Sequence, residues 1–262
     1  MTATATATDL DARALAQALQ TATASGQALD ASAWPADLSA AAVLAVQRER
    51  AHLWPGAVAD VAPQYWKSGG PSRHQPLGHA ALPPQGVHEG GADLRHTPFF
   101  LRGIEAEVAL RIGRDVDAAM AAALDEAGAT ALIDAMAVSI EIVDSRWQQQ
   151  LQAPNALKAA DLLCHGALVL GSWQPYQARD WSAQRCSVQI GEQAAQSFQG
   201  SHSLQDPAWL LPQWLRHATA HFGVLRAGSV VTTGSWCGLL MAQAGERVQV
   251  AFDGLGVLDV ML

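Results

Sequence analysis

Cysteines and long apolar runs are scarce in this sequence of 262 residues. Its three cysteines, Cys164, Cys186 and Cys237, are odd in number and widely spaced. That pattern excludes a disulfide framework and a zinc cluster and favours a reducing cytoplasm. No uncharged apolar run approaches the roughly 18 residues of a membrane span, and the segment 1–9 lacks the basic and apolar regions of a secretory signal. We therefore expect a cytoplasmic protein with no membrane partner.

Positive charge is also in short supply. Lysine and arginine total 16 against 24 aspartates and glutamates, so the net charge is −8. A general nucleic-acid binder needs a basic face to replace counterions, and this balance argues against one. Half of the residues are apolar, which excludes wholesale disorder and supplies a buried core.

Lysine itself is rare. Only Lys67 and Lys158 among the 16 basic residues are lysine, and the others are arginine. A lysine amine is compact, and its pKa shifts readily on burial, unlike that of arginine. These two lysines therefore rank above the arginines as candidates for chemistry, although drift is the simpler explanation for either one alone.

The hydrophobic pattern divides the chain into a predicted disordered tail over residues 1–8, an N-terminal helical cap over 9–60 and a catalytic domain over 61–262. In the cap, one helix begins at Asp9 and a second covers 38–52. Residues 68–98 are dense in glycine, proline and histidine, which predicts a long irregular segment of the kind that often forms a lid. Further on, we predict strands at 105–112, 137–143, 167–170, 187–190, 229–233, 247–252 and 256–261, with helices at 117–136 and 207–222. This is an α+β fold.

Two glutamates in the first of these strands share one face. Alternate side chains of a strand point the same way, so Glu105 and Glu107 project together, opposite the core-facing Ala106 and Val108. Close carboxylates raise each other's pKa. A solvated strand face would dissipate that repulsion, whereas Mg²⁺ or Mn²⁺ would convert it into binding.

A third carboxylate, Glu141, stands in the apolar run 137–143. A glutamate is rarely buried there unless it is paired or bound to a metal. Neutralisation by Arg111 or Arg146 is the alternative to a metal.

These acidic residues lie in motifs that resemble the fumarylacetoacetate hydrolase superfamily. The nearest branch is that of the 2-keto-4-pentenoate hydratases and 4-oxalocrotonate decarboxylases, of which this chain looks like an atypical member. The resemblance covers roughly residues 60 to 262. It is carried, in order, by Tyr65-Trp-Lys67-Ser-Gly-Gly70, Glu105-x-Glu107, Glu141-Ile-Val-Asp-Ser-Arg146, Ala160-Asp161, Gly166-Ala-Leu-Val-Leu-Gly171 and Leu225 through Gly238.

The resemblance implies a mixed β-sheet roll whose three glutamates, Glu105, Glu107 and Glu141, hold Mg²⁺ or Mn²⁺. It implies that this metal chelates a 2-keto acid and stabilises the enolate formed when a proton moves at carbon 3. Lys67 would supply a second positive charge or, if burial lowers its pKa, transfer a proton. Asp161, Gly234 and Ser235 would contact substrate, although the last two also fit a simple tight turn.

The activity implied is hydration of a 2-hydroxy-2,4-dienoate to a 4-hydroxy-2-keto acid in aromatic-compound catabolism. Decarboxylation or tautomerisation of a related keto acid is the alternative within the family, and noncatalytic binding of a keto acid or partner enzyme is the alternative outside catalysis. The family commonly forms homo-oligomers, and an associated decarboxylase or aldolase of the same pathway is the partner this branch suggests.

Two departures from the branch stand out. Its acidic-aromatic-glycine element has no counterpart in Gly78 to Gly86, and its asparagine and serines are replaced by Leu162, Leu163, Cys164 and His165. The second change predicts a more apolar substrate wall and a substrate with a hydrophobic tail.

Other histidines and Cys164 have simpler interpretations. His217 and His221 have zinc-compatible spacing, but they lie on an amphipathic helix, so a packed or exposed helix face is favoured. One of His74, His79, His88 and His96 is a candidate acid or base in the predicted lid. Cys164 is expected to be a small buried thiol.

Overall fold

The described part of the chain, residues 10–262 of a computed structural model, forms six α-helices and fourteen β-strands. The tail predicted for residues 1–8 lies outside the described residues. The helices are α1 (Ala12–Ser25), α2 (Ala40–His52), α3 (Ala118–Ala123), α4 (Glu126–Thr130), α5 (Asn155–Ala160) and α6 (Leu211–Phe222). The strands are β1 (Tyr65–Gly69), β2 (Gly78–Leu82), β3 (Val87–Glu89), β4 (Ala92–Asp93), β5 (Gly103–Ile112), β6 (Ile133–Val143), β7 (His165–Leu170), β8 (Gln174–Pro175), β9 (Arg185–Ile190), β10 (Gln196–Gln199), β11 (Val230–Thr232), β12 (Leu240–Met241), β13 (Arg247–Phe252) and β14 (Gly256–Met261).

The strands form two sheets. The larger sheet has the order β2-β1-β11-β5-β6-β7-β3, with β12 added to β5 and β8 added to β6. The smaller sheet has the order β10-β9-β13-β14-β4. Strands β1 and β11 are parallel, whereas β5 and β6 form a long antiparallel pair. The result is the predicted mixed α+β roll.

The first two helices form the N-terminal cap, and local capping fixes where they begin. The Asp11 side chain accepts a hydrogen bond from Ala14 N at 3.0 Å, and Ser39 Oγ accepts one from Ala42 N at 3.1 Å. Leu15, Leu19 and Val46 of these helices are fully buried in a small core that also contains Trp147. The cap is therefore packed against the segment that follows β6, although the boundary at residue 60 stays a prediction.

The main core contains residues of both sheets and of α6. Trp66 on β1 makes edge-to-face contacts with Trp214 and Phe222 of α6, with ring centroids 6.3 and 5.0 Å apart. His217 contacts the same tryptophan at 6.3 Å. The packed-helix interpretation of His217 is confirmed.

The single helix predicted at 117–136 is instead two short helices, α3 and α4, and the prediction is wrong from residue 131 onward. Asp125 interrupts it and caps a second short helix by accepting a hydrogen bond from Gly128 N at 2.8 Å. Residues from Ile133 belong instead to β6, where the alanines pair with β5. Sheet pairing overrides the helical propensity of this alanine-rich run.

The segment 68–98 is not one irregular lid. It contains β2, which pairs antiparallel with β1, and the short strands β3 and β4. His79, counted among the lid histidines, lies on β2, where its Nδ1 is 2.8 Å from Ser68 Oγ. Among residues 10–262, no helix is both long and apolar enough to cross a membrane.

Candidate metal centre

Three glutamates meet where β5 and β6 pair. Glu105 stands directly opposite Glu141, and Glu107 stands opposite Ser139 on the same face. One carboxylate oxygen from each of Glu105, Glu107 and Glu141 lies within 4.8 Å of the other two. Glu141 and Glu107 are buried, with exposed fractions of 0% and 2%. The sheet register thus gathers the three predicted ligands into one group.

Glu107 is held through one of its two oxygens. Thr232 Oγ1 donates to Glu107 Oε2, and Gly234 N donates to the same oxygen at 2.9 Å. Ser139 Oγ lies 2.9 Å from Thr232 Oγ1 and completes the chain of hydroxyls. These contacts fix the carboxylate and leave Glu107 Oε1 for another partner.

Glu141 is held in the same manner. Lys67 Nζ lies 2.5 Å from Glu141 Oε1, and His165 Nδ1 lies 3.1 Å from that oxygen. Glu141 Oε2 is buried and has no hydrogen-bond partner among residues 10–262. An orphaned carboxylate oxygen is costly in a protein interior unless a cation or donor meets it.

The charges in this group shift the pKa values of its members. Burial raises the pKa of Glu105 and of Glu107 above the ordinary value, and the neighbouring carboxylates add to the rise. Burial alone would lower the pKa of Lys67, but the charges of Glu141 and Glu105 outweigh it and raise that pKa. Lys67 is therefore an ammonium facing an excess of negative charge.

A cavity of about 370 Å³ opens onto this group. Lys67, Glu105 and Glu107 line it, together with Leu163 and the turn that contains Gly234 and Ser235. The donor set of acceptor-only oxygens suits a hard divalent cation, and the orphaned Glu141 oxygen shows that the residues fit such an ion. The structure can hold a divalent metal with substrate space beside it.

Gly234 and Ser235 line the cavity, but the Gly234 N–H and the Ser235 hydroxyl already have partners. The Gly234 N–H donates to Glu107, and Ser235 Oγ donates to Gly238 O at 2.6 Å. The structure therefore gives Gly234 a part in holding Glu107. Contact of these two residues with substrate stays a prediction.

Asp161 lies elsewhere and does not line the cavity. It is fully buried and accepts hydrogen bonds from Arg146 Nε at 2.7 Å and Arg50 Nη1 at 3.0 Å. Two guanidinium groups thus occupy its carboxylate, and the predicted substrate contact is not supported. The Asp161–Arg50 pair instead ties the cap helix α2 to the end of α5.

The arginines proposed as alternatives to a metal are engaged elsewhere. Arg111 pairs with Asp134 at 2.8 Å, and Arg146 pairs with Asp161. Neither neutralises Glu141, so Lys67 and His165 are the partners of that carboxylate. Lys158 donates to Leu151 O at 2.8 Å and does not line the cavity.

Sequence reasoning did not assign roles to His165 and Thr232. Thr232 lies on β11, beside β5, so its place next to Glu107 depends on strand order. Cys164, next to His165, is buried, and burial raises the pKa of its thiol to about 11, which confirms the interpretation as a small buried thiol.

Comparison with known proteins shows that the sequence matches a family. The family profile described as Fumarylacetoacetate (FAA) hydrolase C-terminal matches residues 79–261. A 2-keto-4-pentenoate hydratase from Dechloromonas aromatica is 31% identical over 165 residues, covering 60% of this chain and 59% of that protein. A 2-hydroxyhexa-2,4-dienoate hydratase from Comamonas testosteroni is 29% identical over 161 residues, covering 60% of this chain and 58% of that protein. The matched region thus spans about three fifths of these relatives.

Solved structures show the same fold over nearly the whole chain. The 4-oxalocrotonate decarboxylase from Pseudomonas putida G7, complexed with calcium and acetate, has a TM-score of 0.78 and 16% identity, covering 98% of each chain. The same enzyme complexed with magnesium and adipate has a TM-score of 0.78 and 17% identity, also covering 98% of each chain. At these identities, the likeness concerns the fold.

Proposed function

The chain belongs to the fumarylacetoacetate hydrolase family, and from that premise we propose that it is a divalent-metal-dependent hydratase. Its substrate is a 2-hydroxy-2,4-dienoate, and its product is a 4-hydroxy-2-keto acid formed in the breakdown of aromatic compounds. Mg²⁺ or Mn²⁺ is the proposed metal, and Glu105, Glu107 and Glu141 are its proposed ligands. The names of the hydratase relatives support the reaction class.

One observation carries the proposal. Oxygens from three carboxylates lie within 4.8 Å of one another, and one oxygen of the buried Glu141 has no hydrogen-bond partner among the described residues. Lys67 offsets only part of the negative charge of these three close carboxylates, so they still repel each other, whereas a divalent cation between them turns the repulsion into attraction.

The metal, when bound, supplies Lewis-acid stabilisation to the negative charge that develops on the 2-oxygen of the substrate. The chain's own residues bind and orient around that point. Strands β5 and β6 hold the carboxylates rigidly, and Thr232 and Gly234 prevent Glu107 from turning away. Preorganised groups of this kind need no rearrangement at the moment of reaction.

Lys67 is proposed to contribute a fixed positive charge beside the substrate. Its ammonium donates to Glu141 Oε1 and to Leu163 O, at 3.2 Å for the latter, and its raised pKa favours the charged form. Of the two roles open to this lysine, charge stabilisation therefore fits better than proton transfer by a neutral amine.

The cavity suits a substrate with one carboxylate. Lys67 is the one cationic side chain among the described residues that line it, and Leu163 supplies an apolar surface. A second carboxylate would meet no additional cation and would lie near glutamates. The single cation in the cavity therefore favours hydration of a monocarboxylate dienoate over decarboxylation of a dicarboxylate. Tautomerisation would use the same bound enolate as hydration.

Noncatalytic binding of a keto acid is the second candidate function. Among the described cavity residues, Lys67, Glu105 and Glu107 are the only titratable side chains of acid–base use. The acidic-aromatic-glycine element of the branch is absent, so no separate carboxylate stands ready to handle the added water. The absence of such a carboxylate from the cavity favours binding without turnover.

We further propose that the protein is a cytoplasmic homo-oligomer in which residues 61–262 form the catalytic domain and residues 9–60 form the cap. A decarboxylase or aldolase that supplies or consumes the same keto acids is the proposed partner enzyme. Sedimentation analysis of the purified chain alone tests the homo-oligomer, and the same analysis with such an enzyme tests the partnership.

Ultraviolet absorbance of a 2-hydroxy-2,4-dienoate, followed with Mg²⁺ or Mn²⁺ and with a chelator, tests the activity. We expect metal-dependent decay of the dienol signal and a product heavier than the substrate by one water. Decay to an isomer of equal mass would mean tautomerisation, and loss of carbon dioxide from a vinylogous keto diacid supplied in place of the dienoate would mean decarboxylation. Metal-dependent binding of 2-oxopentanoate without any dienol decay would establish the noncatalytic alternative.

A further inference from the structure

His165 is a buried imidazole beside the proposed metal ligands. Its side chain is 1% exposed, and its Nδ1 lies 3.1 Å from Glu141 Oε1. Its other nitrogen, Nε2, is buried and has no hydrogen-bond partner in the described part of the chain. An ionised carboxylate only accepts hydrogen bonds, so the contact requires a proton on Nδ1 of His165. A side chain present only for packing would gain nothing from two such polar atoms.

A break in the strand pairing aims this ring at Glu141. Ile142 pairs with Ala167, but the next residue, Val143, pairs with His165, so Gly166 is an extra residue on β7. Such a bulge moves the residue beyond it to the other face of the sheet. His165 therefore joins Val143 and Glu141 on the face of the metal site instead of pointing away from it.

Gly166 makes the bulge possible because nothing larger fits. A Cβ atom there would lie 2.7 Å from Ile142 O and 2.7 Å from Asp144 Cβ. The three residues before His165, Leu162 to Cys164, are all in the left-handed region, with φ values of 51°, 56° and 60°. Residues with side chains seldom adopt this conformation in succession, so packing around the turn must hold it in place.

The two buried glutamates are held by the same design. Glu107 receives two donors on Oε2, and Glu141 receives two donors on Oε1, from Lys67 and His165. In each case the opposite oxygen is left for another partner. Because Lys67 is also proposed to place its charge beside the substrate, His165 is the donor whose proposed role concerns Glu141 alone.

We propose that His165 is a positioning residue for the metal: its Nδ1–H fixes Glu141 with Oε2 turned toward the ion. The proposal rests on the proposed metal site and adds a residue that neither the family motifs nor the ligand geometry assigns. Loss of a partner that orients a metal ligand costs about tenfold to hundredfold in metal affinity. His165 acts entirely through Glu141.

Two substitutions of nearly equal size separate donation from packing. In His165→Asn, the amide nitrogen takes nearly the place of Nδ1 and keeps a donor, whereas His165→Leu has a similar shape without one. Mn²⁺ alone is titrated into the metal-free chain and followed by electron paramagnetic resonance of the free ion. We expect His165→Asn to bind within about threefold of the unchanged chain and His165→Leu to lose about tenfold to hundredfold.

A double-mutant cycle shows whether the effect passes through Glu141. In a Glu141→Gln background, His165→Leu should cause no additional loss of Mn²⁺ affinity. Circular dichroism and thermal unfolding without metal confirm that each variant folds. If His165→Leu does not fold, His165→Gln, whose amide reaches the Nε2 position instead, takes its place and should also lose affinity.

The results that overturn the proposal are distinct from failure of the metal site. Unchanged Mn²⁺ affinity in folded His165→Leu, or equal losses in the asparagine and leucine variants, refutes a positioning role while leaving the site intact. Absence of Mn²⁺ binding in the unchanged chain refutes the metal site, and the role of His165 with it.

Discussion

Replacing Glu107 by glutamine should move metal affinity and metal-free stability in opposite directions. In Glu107→Gln the amide oxygen still accepts from Thr232 and Gly234, so the hydrogen bonds that hold the side chain are retained. The negative charge is lost. A residue that served only the fold would lose stability on such a change, whereas a metal ligand held in a repulsive cluster should gain it when no metal is present.

The magnitude follows from the pKa of Glu107, which burial and the charge of Glu141 raise to about 7 from an ordinary 4.5. A carboxyl with a raised pKa destabilises the folded state above its ordinary pKa, and the penalty is complete above the folded value. At pH 8 the difference corresponds to roughly 3 kcal/mol. The new amide offsets part of this, so we expect a net gain of about 2 kcal/mol, or roughly 4–8 °C in the unfolding temperature. The gain should vanish near pH 4.5.

Thermal unfolding at pH 8 and pH 4.5 measures both effects, with a chelator for the metal-free state and with added Mn²⁺ and no chelator for the metal-bound state. Added Mn²⁺ should raise the unfolding temperature of the unchanged chain and leave that of Glu107→Gln unmoved. The matched control is Glu192→Gln at an exposed position, which should change stability by less than about 0.5 kcal/mol. A metal-free Glu107→Gln that is less stable than the unchanged chain, or one that keeps full Mn²⁺ stabilisation, refutes the reasoning.

Three further predictions address the rest of the site. Lys67→Met should lower turnover of the dienoate by about 10²–10³-fold, because a fixed positive charge is lost, while Mn²⁺ binding persists in titration. Parallel losses of both would mean that Lys67 only maintains the ligand geometry. Mn²⁺ affinity should rise with pH from about 6 to 8. Burial raises the pKa of Glu105 to about 8 and of Glu107 to about 7, and the metal must displace their protons. Calorimetry in buffers of different ionisation enthalpy detects the released protons, and an affinity that does not change with pH would contradict this prediction. Gly166→Ala should destabilise the chain by about 2 kcal/mol or more, because its Cβ would lie 2.7 Å from Ile142 O; an unchanged denaturant midpoint would show that the bulge is adaptable.

The grouping of Glu105, Glu107 and Glu141 could be predicted because most of the required information is local. Alternation along β5 puts Glu105 and Glu107 on one face, and an isolated glutamate in an apolar run marks Glu141. Only the pairing register, which places Glu105 opposite Glu141, had to be supplied by the structure.

The parts that could not be predicted depend on long-range packing. Asp161 looked like a site residue because its neighbours match a motif, but the arginine that neutralises it from the cap, Arg50, lies 111 positions away. His165 could not be assigned to the site because alternation alone gives the wrong face, and the bulge at Gly166 reverses it. The run 117–136 was misread because local alanine propensity competes there with pairing to a strand.

The central claim is that one divalent ion sits among three glutamates drawn from two paired strands. A crystal structure of the chain with Mn²⁺, with anomalous diffraction collected at the manganese edge, tests it most directly. We predict a single strong anomalous peak bonded to oxygens of Glu105, Glu107 and Glu141, with Glu141 Oε2 among them. No peak at this position, with Lys67 still paired to Glu141 and the other carboxylates apart, would contradict the account.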